Sequence, residues 1–524
     1  MKKSLVLLLS ILLCISLAAC TNDSKQTANN NSQPPSTQAA TPTEGQATSG
    51  VKTGGILKYA QSADPNTLDP YIYATEQDRN TFLTIFNSLM EYDPKTLKPV
   101  PGIIKEAKLS DDGLTYDLTI QSDVTFHNGR KLTADDVKFS LQKAMRPEAT
   151  RTADLLKSIK DIKTVDDTHL TVSLSNRDNL LLDSFIEVFV TPNDPSIDQS
   201  KNPVGTGPFM FVQWNRNEKV VVKKNPNYWK KGLPYLDGIE FITVPDQDVK
   251  LLQLTNGQVD AIDVVPTSKV TEVSNNTNLQ LSTVPVDLTV SDYILLLNNS
   301  KTPFNNLKFR QAVNYSLQRN KIKQALFGNF VVRSTSVPTG DSNYNPDTPQ
   351  YQYDLTKAKA LLKESGYNNE KLELLYHKID ISDDIISQII EQSLQDLGIN
   401  AELKGVEVAQ WVDNVFNKKQ FDMAITYTNP KPNTVDMLYH VYGAQNGAAL
   451  QWDNKPWYDK LLSVRQLPSN EGSKVLKDLQ AQVVDQTPNI VIGGHVLAAG
   501  LSKNVQGFIP DPQSKVYFES VWKN

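Results

Sequence analysis

Five histidines (His127, His169, His377, His440 and His495) and two cysteines (Cys14 and Cys20) are the side chains of this sequence best suited to metal or thiol chemistry. The histidines lie far apart, and no two have the spacing that puts a pair of imidazoles on one helical face. Paired carboxylates occur at Asp111-Asp112, Asp135-Asp136 and Asp383-Asp384. They stand at turns or helix starts, where capping and solvation account for them. No phosphate-binding G-x-x-x-x-G-K-[ST] loop and no G-x-S-x-G elbow is present, and "GTGPFM" (Gly205–Met210) lacks the third glycine of a dinucleotide fingerprint. The expectation is a protein that is not an enzyme, has no cofactor and has no preformed metal site.

The cysteines have another use. Met1-Lys2-Lys3 is basic, Ser4 to Ala19 is apolar, and Leu17-Ala18-Ala19-Cys20 closes the run. This is the layout of a signal peptide, too short to span a bilayer comfortably. The Leu-Ala-Ala-Cys site resembles the bacterial lipobox, so residues 1–19 are expected to be removed and Cys20 to carry diacylglycerol. Cys14 falls in the discarded segment, which leaves no thiol for catalysis or disulfides. Residues 21–50 contain no aromatic residue and no Leu, Ile or Val. Such a stretch cannot bury enough apolar surface to fold and reads as a tether with a reach of roughly 30 Å. The boundaries expected are a signal peptide over 1–19 and a lipidated, disordered leash over 20–51.

Some 470 residues remain, by 524 less the leash, which is too many for one core. The formal net charge is −5, with both signs mixed along the chain, so nucleic acid is not an expected partner. Strand and helix patterns alternate irregularly, as in α/β domains. "LTYDLTI" (Leu114–Ile120) and "HLTVSL" (His169–Leu174) alternate with period two, and "YILLLN" (Tyr293–Asn298) reads as a buried strand. Helices are predicted behind three caps: Thr133 with Asp136, Asn306, and Asp354 with a stop at Gly366. A stripe from Ile386 to Leu397 predicts a fourth, stopped by Gly398.

Seven stretches in order resemble the peptide/nickel class of solute-binding proteins of ABC importers, solute-binding family 5. They include "GGILKYAQSADPNTLDPY" (Gly54–Tyr71), "LSDDGLTYDLTIQSDVTFHNGRKLTADDVKFSL" (Leu109–Leu141), "PVGTGPFMFVQW" (Pro203–Trp214) with "KKNPNYW" (Lys223–Trp229), and "TPFNNLKFRQAVNYSLQRNKI" (Thr302–Ile322). "NGQVDAI" (Asn256–Ile262), "YDLTKAKALLKESGY" (Tyr353–Tyr367) and "LGINAEL" with "KKQFDMAI" (Lys418–Ile425) complete the set. The resemblance implies an α/β, two-lobed, periplasmic-binding-protein-like fold of the type II, Venus-flytrap kind, with an additional inserted domain. Lobe I is expected over 52–92, 180–277 and 488–524, the inserted domain over 93–179 and lobe II over 278–487. It implies a monomer that captures oligopeptides or dipeptides outside the cell membrane, closes around them and passes them to a permease and its ATPases. The alternatives on the same fold are an oligosaccharide, an opine-like conjugate, a nickel chelate, or a peptide-signal receptor.

Candidate ligand contacts follow by position: Tyr71 and Tyr73 on the first loop, Thr206 on the glycine turn, Trp411, and Tyr427, Thr428 and Asn429 after the "FDMAITY" strand. Peptide-binding relatives usually carry an aspartate soon after that strand. Here Lys431 and two prolines stand there, and Asp436 comes late. A buried ammonium without a carboxylate is costly, which puts free-peptide recognition in question or assigns it to another acid.

Overall fold

The computed structural model describes residues 50–524, apart from 74, 94, 97, 290, 379–380, 429–430, 444–448, 510 and 513–514. The leader, Cys20 and the leash up to residue 49 therefore lie outside the described residues. Among the described residues no helix is long and apolar enough to cross a membrane.

Two large sheets organise the chain. The first has seven strands, and its centre is the Ile56–Gln61 strand, paired in parallel with Gly238–Thr243 on one side and Ala261–Ile262 on the other. The second has six strands around Asp292–Leu297, which is antiparallel to both Met423–Tyr427 and Asn489–His495. Every residue of Asp292–Leu297 is buried, as its uninterrupted apolar pattern requires of a central strand. Each such leucine contributes about 1.5–3 kcal/mol by burial. A smaller antiparallel sheet of four strands, including Thr115–Ile120 and His169–Leu174, forms its own core with the Ala134–Ala144 helix.

The local signals act as chemistry dictates. Thr133 and Asp136 form a reciprocal capping box, Asn306 and Asp354 accept backbone N–H bonds at their helix starts, and Gly366 takes the left-handed conformation that ends its helix. The stripe ending at Leu397 lies on the Ile381–Leu397 helix. The glycine turn has a different reason. A Cβ on Gly205 would stand 2.1 Å from the Ile85 carbonyl oxygen, and one on Gly207 would stand 2.5 Å from the Ile85 carbonyl carbon. His127 completes the turn: its Nε2 meets the Gly207 carbonyl at 3.0 Å. Burial pushes this imidazole down to about 4, so it sits there neutral.

The two sheets meet through two crossings, and these differ from the expected boundaries. The strand Leu279–Thr283 pairs with Ala498–Ser502 and so belongs to the first sheet, not to lobe II. Asn489–His495 pairs with Asp292–Leu297 and belongs to the second sheet, not to lobe I. The chain thus crosses at residues 284–291 and returns at 496–497. The cause is register: the first crossing carries only the short Val286–Leu288 turn and the second is two residues long, with no composition change to mark either passage. Leu181, Phe185 and Ile186 similarly pack into the core of the small sheet, beyond the expected edge at 179.

Candidate functional site

The second lobe offers one wall. The carboxyl ends of its strands Leu372–His377, Met423–Tyr427 and Asn489–His495 point the same way as the start of Asp292–Leu297. Strand carboxyl ends are where open α/β sheets take ligands. His377, Tyr427, His495 and Tyr293 gather there. Tyr427 packs against Tyr293 at 6.2 Å between ring centroids and against His377 at 5.6 Å. Tyr293 also faces His495 at 6.0 Å, and His377 faces Trp411 at 5.3 Å. The Tyr293 hydroxyl donates to Asp383 at 3.1 Å. His377 Nδ1 lies 3.7 Å from the other Asp383 oxygen, beyond hydrogen-bond reach. Both His377 Nδ1 and the Trp411 indole nitrogen are buried without a hydrogen-bond partner among the described residues.

The first lobe supplies the opposing side. Thr75 and Asp78 cap the Glu76–Phe82 helix, which carries Arg79, buried and paired with Glu76. The Tyr73 hydroxyl donates to Glu187 at 2.7 Å, and the Lys515 ammonium lies 2.9 Å from the other Glu187 oxygen. Burial alone would raise the Glu187 carboxyl, but Lys515 and Arg79 hold it well below the usual carboxylate range. The Arg151 guanidinium of the small domain lies 4.6 Å from the Tyr73 ring centre, a cation–π distance. From the second lobe, Lys431 comes within electrostatic reach of Arg151, Glu187 and Arg79. Two cavities flank these groups. One, of about 310 Å³, lies at the crossings and includes Glu76, Lys515, His495 and Ser382. The other, of about 320 Å³, lies between the small domain and the second lobe and includes Lys431, Tyr92, Asp183 and Asn343.

The seven expected contact residues divide. Tyr73, Trp411 and Tyr427 stand within this constellation, and Tyr427 alone of them is substantially exposed, at 41%. Tyr71 is in the small domain's core, its hydroxyl 3.0 Å from the Phe189 carbonyl and 2.9 Å from Thr191 Oγ1. The Thr206 hydroxyl donates to Asn87 at 3.1 Å and serves the glycine turn. Thr428 is fully buried and continues the sheet ladder, accepting from the Asp292 N–H at 2.9 Å. Asn429 lies outside the described residues. Asp436, the late acid, has both oxygens engaged, one by Arg465 at 2.9 Å and one by Asn433 at 2.8 Å. Sequence reading missed Arg79, Arg151, Glu187, Lys515, His377 and His495 as neighbours; no spacing signal joins them, because they come from widely separated parts of the chain. Among the described residues no cluster of three or more His, Cys, Asp or Glu could hold a metal ion.

Comparison with known proteins agrees with this architecture. The chain is 26% identical over 477 residues to the glutathione-binding protein GsiB of Salmonella paratyphi A, covering 86% of this chain and 91% of that one. The solved substrate-binding protein CtaP of Listeria monocytogenes superposes with a TM-score of 0.80 at 21% identity, over 90% of this chain and 100% of that one. The oligopeptide-binding protein AppA of Bacillus subtilis, solved with a nonapeptide, gives 0.77 at 21% identity, over 90% and 100%. The family described as bacterial extracellular solute-binding proteins, family 5, middle region, matches residues 98–449. With two lobes, an inserted domain and a polar cleft between them, this chain belongs to the family 5 extracellular solute-binding proteins, the ligand-capturing subunits that work with ABC permeases.

Proposed function

We propose that this protein captures oligopeptides or dipeptides outside the cell membrane and delivers them to an ABC permease, acting as a monomer tethered by a lipid on Cys20. One observation carries the reading. His377 Nδ1 and the Trp411 N–H are buried yet unpartnered among the described residues, beside the half-exposed Tyr427. A buried polar atom left without a partner costs about 1–3 kcal/mol, and a ligand that supplies carbonyls or amide N–H groups recovers it. Peptides carry such groups at regular intervals and bind through them as an added strand. Glutathione and a nonapeptide, the ligands of two similar proteins, share the amide chemistry. The sequence Leu17-Ala18-Ala19-Cys20 supports the tether.

A thermal-shift screen of di- and tripeptides, glutathione, oligosaccharides and metal chelates tests the reading. A ligand present at 100 times its Kd stabilises by about 2.7 kcal/mol, and the melting temperature rises accordingly. A rise with peptides is expected. A rise with saccharides alone overturns the proposal. In cells, Cys20→Ser releases the protein into the soluble fraction; retention of lipid label in that variant contradicts the tether.

A further inference from the structure

The cavity of about 310 Å³ at the crossings is walled by both lobes and by both connections between them. Val284 stands on the first crossing and Leu497 on the second. Ile381 comes from the second lobe, and Phe508 packs on the core of the first. Ser282 and Ala499, opposite each other where Leu279–Thr283 pairs with Ala498–Ser502, also line it. Ile381 is 57% exposed and Leu497 48%. Single exposed apolar residues need no explanation, whereas two that share one concave site do. The charged residues around the cavity are each answered from elsewhere in the first lobe. Glu76 pairs with Arg79, Asp263 with Lys250, and Lys515 with Glu187 at 2.9 Å, and Asp511 lies in the field of Arg79. What the cavity presents to a ligand is therefore mainly apolar. It also adjoins the capture site: His495 lines it and packs against Tyr293 at 6.0 Å between ring centroids, and Tyr293 packs against the half-exposed Tyr427 at 6.2 Å. Its volume falls within the range of small-ligand pockets.

We propose that this cavity is a specificity pocket that takes an apolar side chain of the captured peptide, so that the protein selects peptides carrying a leucine-like residue over polar ones of the same size. The inference rests on the peptide-capture reading above and names its substrate class. Transfer of an apolar side chain from water into such a pocket is favourable in proportion to the area covered, and it covers Ile381 and Leu497 at the same time. A polar side chain of the same size loses its water there and finds the charged groups already engaged. Because Val284 and Leu497 stand one on each crossing, an occupied pocket also ties the ligand to both connections about which the lobes close.

The experiment is calorimetric titration of the purified protein with matched tripeptides: Leu-Gly-Gly, Gly-Leu-Gly and Gly-Gly-Leu against Gln-Gly-Gly, Gly-Gln-Gly and Gly-Gly-Gln. Leucine and glutamine are similar in size, so each pair differs in polarity rather than bulk. In at least one pair the leucyl peptide is expected to bind about tenfold or more tightly, in line with burial of one such side chain. Leu497→Asp puts a charge in the cavity wall and is expected to bring that ratio below about threefold. Val212→Asp, at an exposed valine on an edge strand of the first sheet and outside the cavity, is expected to leave the ratio unchanged. The native series decides the matter even where Leu497→Asp fails to fold. A smaller ratio in every native pair, a ratio that stays above threefold in folded Leu497→Asp, or an equal fall in Val212→Asp overturns this inference while leaving peptide capture intact. Failure of the folded native protein to bind any of these or any other peptide overturns both.

Discussion

Trp411 separates a binding role from a packing role more cleanly than any other residue in the cleft. Its ring is 2% exposed and packs edge-on against Phe416 and His377, so most of its surface serves the core. Its N–H serves nothing among the described residues. Trp411→Phe keeps an aromatic ring and removes the donor. The empty protein is expected to melt within about 1 kcal/mol of the native one, because loss of an unpartnered buried donor offsets some of the lost packing. Peptide affinity is expected to fall by roughly five- to tenfold, the worth of one hydrogen bond. Equal binding by the variant, measured by calorimetry, removes Trp411 from the site. The contrast with Thr428 shows what sequence can and cannot tell. Thr428 was reachable by position just after a recognisable strand, but whether its side chain faces the cleft or the ladder depends on pairing with Asp292, a partner 136 residues away. Arg151 and Lys431 were visible only as charges; the meeting of the small domain and the second lobe brings them within electrostatic reach.

At the scale of elements, the segment after the Lys455–Ser463 helix fastens the second lobe to the small domain. Arg465 grips Asp178 through Nε at 3.1 Å and Nη2 at 3.2 Å, and donates to Asp436 at 2.9 Å. The Asn179 N–H adds a bond of 2.7 Å to the Arg465 carbonyl. Arg465→Ala leaves two poorly exposed carboxylates facing each other, and removal of one partner from such a buried pair costs about 3–5 kcal/mol. A loss of about 3 kcal/mol in denaturant unfolding is expected; a loss under about 1 kcal/mol contradicts the clasp. Asp183 stands beside it, raised to about 7 by burial, then by Asp436 and, more weakly, Asp178, with Arg465 opposing. A carboxyl raised in the folded state contributes stability below its unfolded value near 4 and loses it as pH climbs through 7. Asp183→Asn is therefore expected to stabilise the protein at pH 8, by on the order of 1 kcal/mol once solvent screening is allowed for. That gain should fade between pH 7 and pH 4; a gain independent of pH counts against the assignment. Elements were the most legible level in the sequence. Caps at Thr133, Asn306 and Asp354 and the strand at His169–Leu174 need only local chemistry. The crossings at 284–291 and 496–497 were misplaced because register between distant strands decides them.

At the scale of the molecule, the account turns on two lobes whose only continuous links in the described region are two short crossings. Short connections of this kind permit hinge closure, and a ligand touching both lobes stabilises the closed arrangement by its differential affinity. Charge from the first lobe, the small domain and the second lobe converges on the cleft, so a ligand held there contacts all three. The fold was legible from ordered sequence stretches, whereas the cleft's electrostatics were not, since they exist only when the lobes face each other. Small-angle X-ray scattering of the purified protein, empty and with a saturating peptide identified by the thermal screen, is the most direct test. The account expects a smaller radius of gyration with ligand. An identical scattering profile with every ligand that raises the melting temperature would contradict capture by closure.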